Sequence, residues 1–200
     1  MNFRSQNWPW AALAGVGMLA LAAVITRPNH ARANAHHLPA NPHTDGDGRT
    51  LVAYYSRSGF TRLMATEIAR QHKARLVELV DPSYQGALGY VWAILNSHRR
   101  TATITPATLD VSAYDTIYIG APVWLGTSAP EAWAFLHNIE LAGKKVVLFN
   151  TLSGKFSQRY VEQFAALVQQ RGGTFGGHLY VLSDKQTPEQ FVAAVREKLS

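Results

Sequence analysis

Residues 50–200 are predicted to form one α/β domain, a five-stranded parallel sheet sandwiched between two helical layers. Short β-rich runs alternate with helical patterns along this stretch. Three of the runs are nearly continuous apolar stretches, as strands buried on both faces must be. Polar turns containing glycine and hydroxyl residues follow several of the strands, where an open parallel sheet gathers its ligands.

The strands are expected at Thr50 to Tyr55, Leu76 to Val80, Thr116 to Ala121, Lys145 to Asn150 and His178 to Leu182. Between them, Thr61 to Gln71 sets Leu63, Met64, Ile68 and Ala69 at helical spacing, and Tyr160 to Gln170 does the same with Val161, Phe164, Ala165 and Val168. Another helix is expected through Glu131 to Leu136, and Pro188 suits the first turn of the last one. The long connection from Asp81 to Asp115 carries one helical stretch, about Leu88 to Arg99, read as an amphipathic surface helix that includes Tyr90 and Trp92.

Composition narrows the chemistry. The chain has 200 residues, 47% of them hydrophobic and 16% charged, enough for one domain with a full core. It contains no cysteine, which excludes disulfides, thiolate metal sites, iron–sulfur clusters and a cysteine nucleophile. The net charge of +6 is spread along the chain without a dense basic run, so nucleic acid is not an expected partner.

The first fifty residues are expected to lie outside the domain. Trp10 to Ile25 is an apolar stretch rich in alanine and glycine, shorter than the ~20 residues of a confident spanning helix. It has the length of a signal-peptide hydrophobic region, and Ala31-Arg32-Ala33 offers a small-residue cleavage pattern. Residues 1–33 therefore read as a signal peptide cut after Ala33 or, alternatively, as an uncut membrane anchor. The protein is expected to be exported, periplasmic or otherwise extracytoplasmic, or membrane-associated through residues 10–25. Arg4, Arg27 and Arg32 belong to this leader, so much of the basicity does too. Residues 34–49 read as a solvated linker; His36, His37, His43, Asp45 and Asp47 have the chemistry of metal ligands but sit in spacer sequence, and no metal is expected.

Three turns carry the functional signal. Ser56-Arg57-Ser58-Gly59-Phe60-Thr61 runs from the first strand straight into a helix, where hydroxyls, backbone N–H groups and the positive helix end suit a phosphate dianion. Gly59 permits the tight backbone, and Ser56, Ser58 and Thr61 are candidate donors. There is no Walker lysine and no G-x-G-x-x-G run, so a monophosphate fits better than a triphosphate or dinucleotide. After the third strand, Pro122-Val123-Trp124-Leu125-Gly126 precedes a helix, with Trp124 as a flat apolar wall for a planar cofactor. After the fourth, Thr151-Leu152-Ser153-Gly154 is a polar glycine-containing loop.

SRSGFT resembles the flavodoxin phosphate loop, T/S-x-T/S-G-x-T, and the other two turns occur in that family's order after the corresponding strands. The resemblance covers about Thr50 to Ser200. It implies a flavodoxin-like three-layer sandwich with strand order 2-1-3-4-5 and flavin mononucleotide (FMN) as cofactor. Phosphate would lie at Ser56 to Thr61, and Trp124 would cover one face of the isoalloxazine. The Leu125-Gly126 peptide would turn over on reduction to meet flavin N5. Thr151 to Gly154 would face the pyrimidine edge, and Phe156 would stand on the opposite ring face in place of the usual tyrosine. Typical flavodoxins are strongly acidic cytoplasmic proteins, so the mild basicity and the leader depart from the pattern.

Electron transfer follows as the leading expectation, with a redox protein as partner and no catalytic acid or base required of the chain. An FMN-dependent NAD(P)H or quinone reductase is the alternative, and a cofactor-free binding module of the same fold a weaker one. A phospho-accepting receiver would want acidic residues where Tyr55-Ser56 and Gly120-Ala121 stand, and the G-x-S-x-G elbow of a serine hydrolase is missing.

Overall fold

The computed structural model describes residues 48–84, 96 and 98–200. The leader, the linker up to residue 47 and most of the helix expected over Leu88 to Arg99 lie outside the described residues.

Strand β1 (Thr50–Tyr55) leads into helix α1 (Phe60–His72), β2 (Arg75–Leu79) and a 3-10 turn at Pro82–Tyr84. Then come β3 (Thr116–Trp124), the two-residue β4 (Thr127–Ser128), α2 (Pro130–Asn138), β5 (Lys145–Leu152), α3 (Gln158–Gln170), β6 (Thr174–Leu182) and α4 (Pro188–Leu199). The main sheet runs β2-β1-β3-β5-β6 with every neighbour parallel, the expected 2-1-3-4-5 order once the β4 hairpin arm is set aside.

Three strands are longer than their sequence patterns indicate. β3 continues through Pro122 to Trp124 because β4 folds back on it, pairing Val123 with Ser128 and Trp124 with Thr127. β5 reaches Leu152 because β6 pairs with it to the end. β6 begins at Thr174, four residues before the expected start at His178. The register shift between Val146 and Val147 leaves Gly176 as the extra residue, next to Gly177, whose φ of +121° a larger residue rarely adopts.

Alternation along the strands sorts the core into two halves. Leu51, Ala53, Tyr55, Ile117, Ile119, Ala121, Val146 and Leu148 join Trp133 and Phe135 of α2 and Phe164 of α3 on one face. Val52, Tyr54, Phe149 and Val181 join Phe60, Met64 and Ile68 of α1 and Phe191 and Val195 of α4 on the other. At the sheet centre Gly120 is required for space, since a Cβ there would lie 1.9 Å from the Phe149 ring. α4 docks on α1 through Arg196, which donates from Nε and Nη2 to the two oxygens of Glu67 at 2.8 and 3.0 Å. A capping box between Thr187 and Gln190 starts that helix. Among the described residues no helix is long and apolar enough to cross a membrane.

Candidate functional site

β1 sends its connection toward β2 while β3 lies on its other side, so the strand order reverses between β1 and β3. At the carboxyl ends of these strands the first turn, the β3–β4 hairpin and the end of β5 come together.

Gly59 sits at the N-cap of α1 with φ +90° and has no side chain to cap the helix, and no acidic residue occupies its first turn. Ser56, Arg57 and Ser58 are half-buried. The Ser56 hydroxyl accepts from the Arg62 N–H at 3.2 Å, tying the start of the turn to the helix. Thr61 is buried and turned inward, its Oγ1 2.8 Å from Oγ1 of Thr151. This bond links the first turn to the end of β5 and leaves Ser56 and Ser58 as the hydroxyls on the outer side. In the helix, Arg62 Nε is buried without a partner while its Nη2 lies 3.6 Å from Glu78 Oε1; the turn itself holds hydroxyls and Arg57 and no carboxylate.

The second segment is a hairpin rather than an open loop. Leu125 and Gly126 are its two tip residues, with φ of +46° and +82°, the signs that two-residue turns matching strand twist require. Glycine adopts this freely, whereas leucine there costs on the order of 1 kcal/mol. Leu125 is nevertheless 61% exposed. Trp124, expected as a flat wall on a loop, is instead the last residue of β3, 8% exposed and edge-on to Tyr55 at 5.8 Å. The pairing of β3 with β4 draws the indole into the core and puts Leu125 at the surface. The Gly126 carbonyl accepts from the Ser157 N–H at 2.9 Å, fixing the hairpin to the start of α3.

At the third segment Thr151 and Leu152 are buried in β5, and Ser153 and Gly154 are exposed beyond it. Phe156, expected to face a ring, is enclosed edge-on by Tyr160, His178 and Tyr180 at 6.0, 5.1 and 5.0 Å. The exposed aromatic of that group is Tyr180.

Two buried polar clusters behind these turns escaped the sequence reading. Asn150, wholly buried in β5, donates from Nδ2 to the Ala121 carbonyl at 2.7 Å and the Ser128 hydroxyl at 3.0 Å. Its Oδ1 accepts from the Tyr160 hydroxyl at 2.9 Å and lies 2.9 Å from His178 Nε2. One side chain thus joins β3, β4, β5, α3 and β6. Burial pushes the His178 pKa down to about 4, so the imidazole is neutral and its Nε2–H can donate.

The second cluster surrounds Glu131 in the first turn of α2. Its carboxyl group is completely buried and neither oxygen has a hydrogen-bond partner. Burial, with Asp81 adding to it, pushes its pKa up to about 8, despite the opposing influence of Tyr55 and Arg57. Tyr55 is raised as well, first by burial and then by Glu131. Asp81 is buried at the end of β2; its Oδ1 accepts from the Ser83 N–H at 2.7 Å and its Oδ2 is unpartnered. An acid in a helix's first turn is the ordinary complement to the helix dipole, so nothing local in Ala129-Pro130-Glu131 signals this environment. Asn150 closes an apolar run and is equally silent.

The flavodoxin family model matches residues 49–170. The chain belongs to the flavodoxin family. Among solved structures, a flavoprotein of Bacteroides uniformis is similar with a TM-score of 0.56 at 22% identity, covering 74% of this chain and 98% of its own. A Lactobacillus acidophilus flavoprotein in complex with FMN gives 0.52 at 24% identity over 66% and 92%. General stress protein 14 of Treponema denticola, also in complex with FMN, gives 0.50 at 12% identity over 76% and 95%. No curated protein matches the chain.

The residues present fit the family's cofactor. The first turn offers hydroxyls and a helix start on a left-handed glycine without a competing carboxylate, which is the chemistry of a phosphate monoester site. The hairpin tip and the exposed Ser153-Gly154 lie at the carboxyl ends of the adjoining β3 and β5, where a planar ring and its polar edge belong. Among the described residues no group of three or more metal-ligating side chains gathers.

Proposed function

We propose that this flavodoxin-family protein binds FMN at the β1–β3 switch point and transfers electrons through it. The observation that carries the reading is the Ser56–Thr61 turn, a helix start on a left-handed glycine beside hydroxyls and arginines. Ser56, Arg57, Ser58, Gly59, Phe60 and Thr61 hold the phosphate end, with Thr61 acting through its bond to Thr151. Pro122, Val123 and Trp124 support the hairpin, and Leu125 and Gly126 meet the ring. Thr151 and Leu152 shape the floor, and the Ser153 and Gly154 backbone serves the pyrimidine edge. Bound flavin supplies the electron chemistry, and the chain supplies position and electrostatics.

A flavin-coloured protein on purification, or saturable quenching of added FMN fluorescence, is the expected result. Anaerobic reductive titration then separates a carrier, which passes through two one-electron steps, from a reductase that goes directly to the two-electron state. A colourless protein that ignores FMN overturns the reading.

A specific observation favours the reductase as second reading. Trp124 is buried and Phe156 is enclosed by other rings, which supports a cofactor face left open for hydride or quinone. Steady oxidation of NAD(P)H in the presence of a quinone is its signature. Export remains a proposal from the leader alone; an amino terminus at Asn34 in the mature protein is its expected result.

A further inference from the structure

Glu131 is an anomaly for a structural residue. A buried polar group without partners lowers stability and is retained only where something compensates. Here both carboxyl oxygens are unpartnered and fully buried, and an unpartnered oxygen of Asp81 is buried in the same neighbourhood. Neither acid is on the surface, so only a proton can readily reach them. The groups that act on Glu131 come from three directions: the Tyr55 hydroxyl at the end of β1, the Arg57 guanidinium in the phosphate turn, and the Asp81 carboxyl after β2. Tyr55 immediately precedes the phosphate turn and touches Trp124, which opens the hairpin. Through Tyr55 and Arg57 the cluster therefore adjoins both segments assigned to the cofactor.

We propose that Glu131 is the redox-linked proton acceptor of this site, a buried carboxyl that takes up one proton when an electron enters the neighbouring cofactor. The inference rests on the FMN reading above. Its balance is simple: above about pH 8, where the oxidised site has lost the Glu131 proton, an electron arrives from an external redox partner, one solvent proton adds to the Glu131 carboxylate to form an O–H bond, and oxidation reverses both. The negative charge of an added electron in a poorly solvated region raises the proton affinity of a nearby carboxylate, and by linkage the ionised carboxylate opposes the electron. Glu131 is a positioning residue in this sense, acting on the cofactor's electrostatics without reacting with it.

The test compares wild type with E131Q, which keeps the shape and removes the proton equilibrium, and with D81N, which removes the neighbouring charge. Full-length protein loaded with FMN is titrated potentiometrically from acid to alkaline pH, and apoprotein unfolding is followed over the same range. In wild type the midpoint falls as pH rises beyond about 8, the range in which the oxidised site would otherwise lose the Glu131 proton. E131Q loses that segment, and D81N shifts it to lower pH. In the apoprotein, E131Q gains stability relative to wild type progressively as pH rises above the ordinary glutamate range. Coincident midpoint curves for wild type and E131Q, or a constant stability difference between their apoproteins, overturn the proposal. A colourless protein without FMN is a different outcome and overturns the reading beneath it.

Discussion

Two buried polar clusters lie behind the same hairpin and could hardly be more different. Around Asn150, the amide's hydrogens and oxygen all have partners, drawn from four other elements. Around Glu131, both carboxyl oxygens are left unpaired, close to a second acid with an unpaired oxygen. A satisfied network in a low dielectric rigidifies what it joins, whereas an unsatisfied one costs stability and leaves a group free to change charge. The Asn150 cluster welds the hairpin and the end of β5 in place. The Glu131 cluster reaches the hairpin through Tyr55, which touches Trp124, and the Ser56–Thr61 turn through Arg57.

The largest expected effect comes from breaking the satisfied cluster. Asn150→Ala removes its hydrogen bonds at once and leaves the Ser128, Tyr160 and Ala121 groups buried without them; a loss of about 3–5 kcal/mol in urea unfolding is expected. A loss under about 1 kcal/mol would show that the cluster does not hold the fold.

Relieving the unsatisfied cluster should do the reverse. The Glu131 carboxyl stays protonated in the folded protein up to about 8 while the unfolded chain ionises near 4.5. The folded state binds more protons in this window, so Glu131 makes stability fall as pH rises through it. Glu131→Gln should therefore stabilise the protein by about 3 kcal/mol at neutral pH and by little at pH 4, read from unfolding midpoints.

His178 contributes with the opposite slope. Its folded pKa is depressed from 6.5 to about 4, so the unfolded chain binds more protons between those values and stability is lost as pH falls through them. About 2 kcal/mol of acid sensitivity is expected from this half-buried ring, and His178→Gln, which keeps an N–H for Asn150, should abolish it. Measured together, the two variants should flatten opposite limbs of the stability curve. The smallest effect is at the hairpin tip. Leu125→Gly relieves the left-handed leucine and should raise stability by about 1 kcal/mol or less; a larger accompanying loss of FMN affinity would show that the exposed leucine is kept for the ring.

How much was legible depended on how far apart in the chain the causes lay. The alternation of strands and helices is local, because apolar periodicity and proline or glycine punctuation act within a few residues, and the strand order agreed with the one implied by the family resemblance. The turn from Ser56 to Thr61 was equally legible as a turn into a helix, since Gly59, the hydroxyls and the helix start form one continuous segment. Trp124 was not: a tryptophan before Leu-Gly reads the same on a loop or a strand, and only the fold-back of β4 buried it. The glycine-rich start of β6 became a strand because β5 offered it hydrogen bonds.

The sequence by itself determined the parallel α/β class, the position of the Ser56–Thr61 turn and the absence of thiol chemistry, all consequences of neighbouring residues or of composition. Only the tertiary structure decided which polar groups found partners. Thr61 meets Thr151 across 90 positions and Glu67 meets Arg196 across 129, while Glu131, in an ordinary helix start, meets none. Hydrogen bonding and desolvation are settled by what packs against a group, and that is fixed only when distant segments close over it.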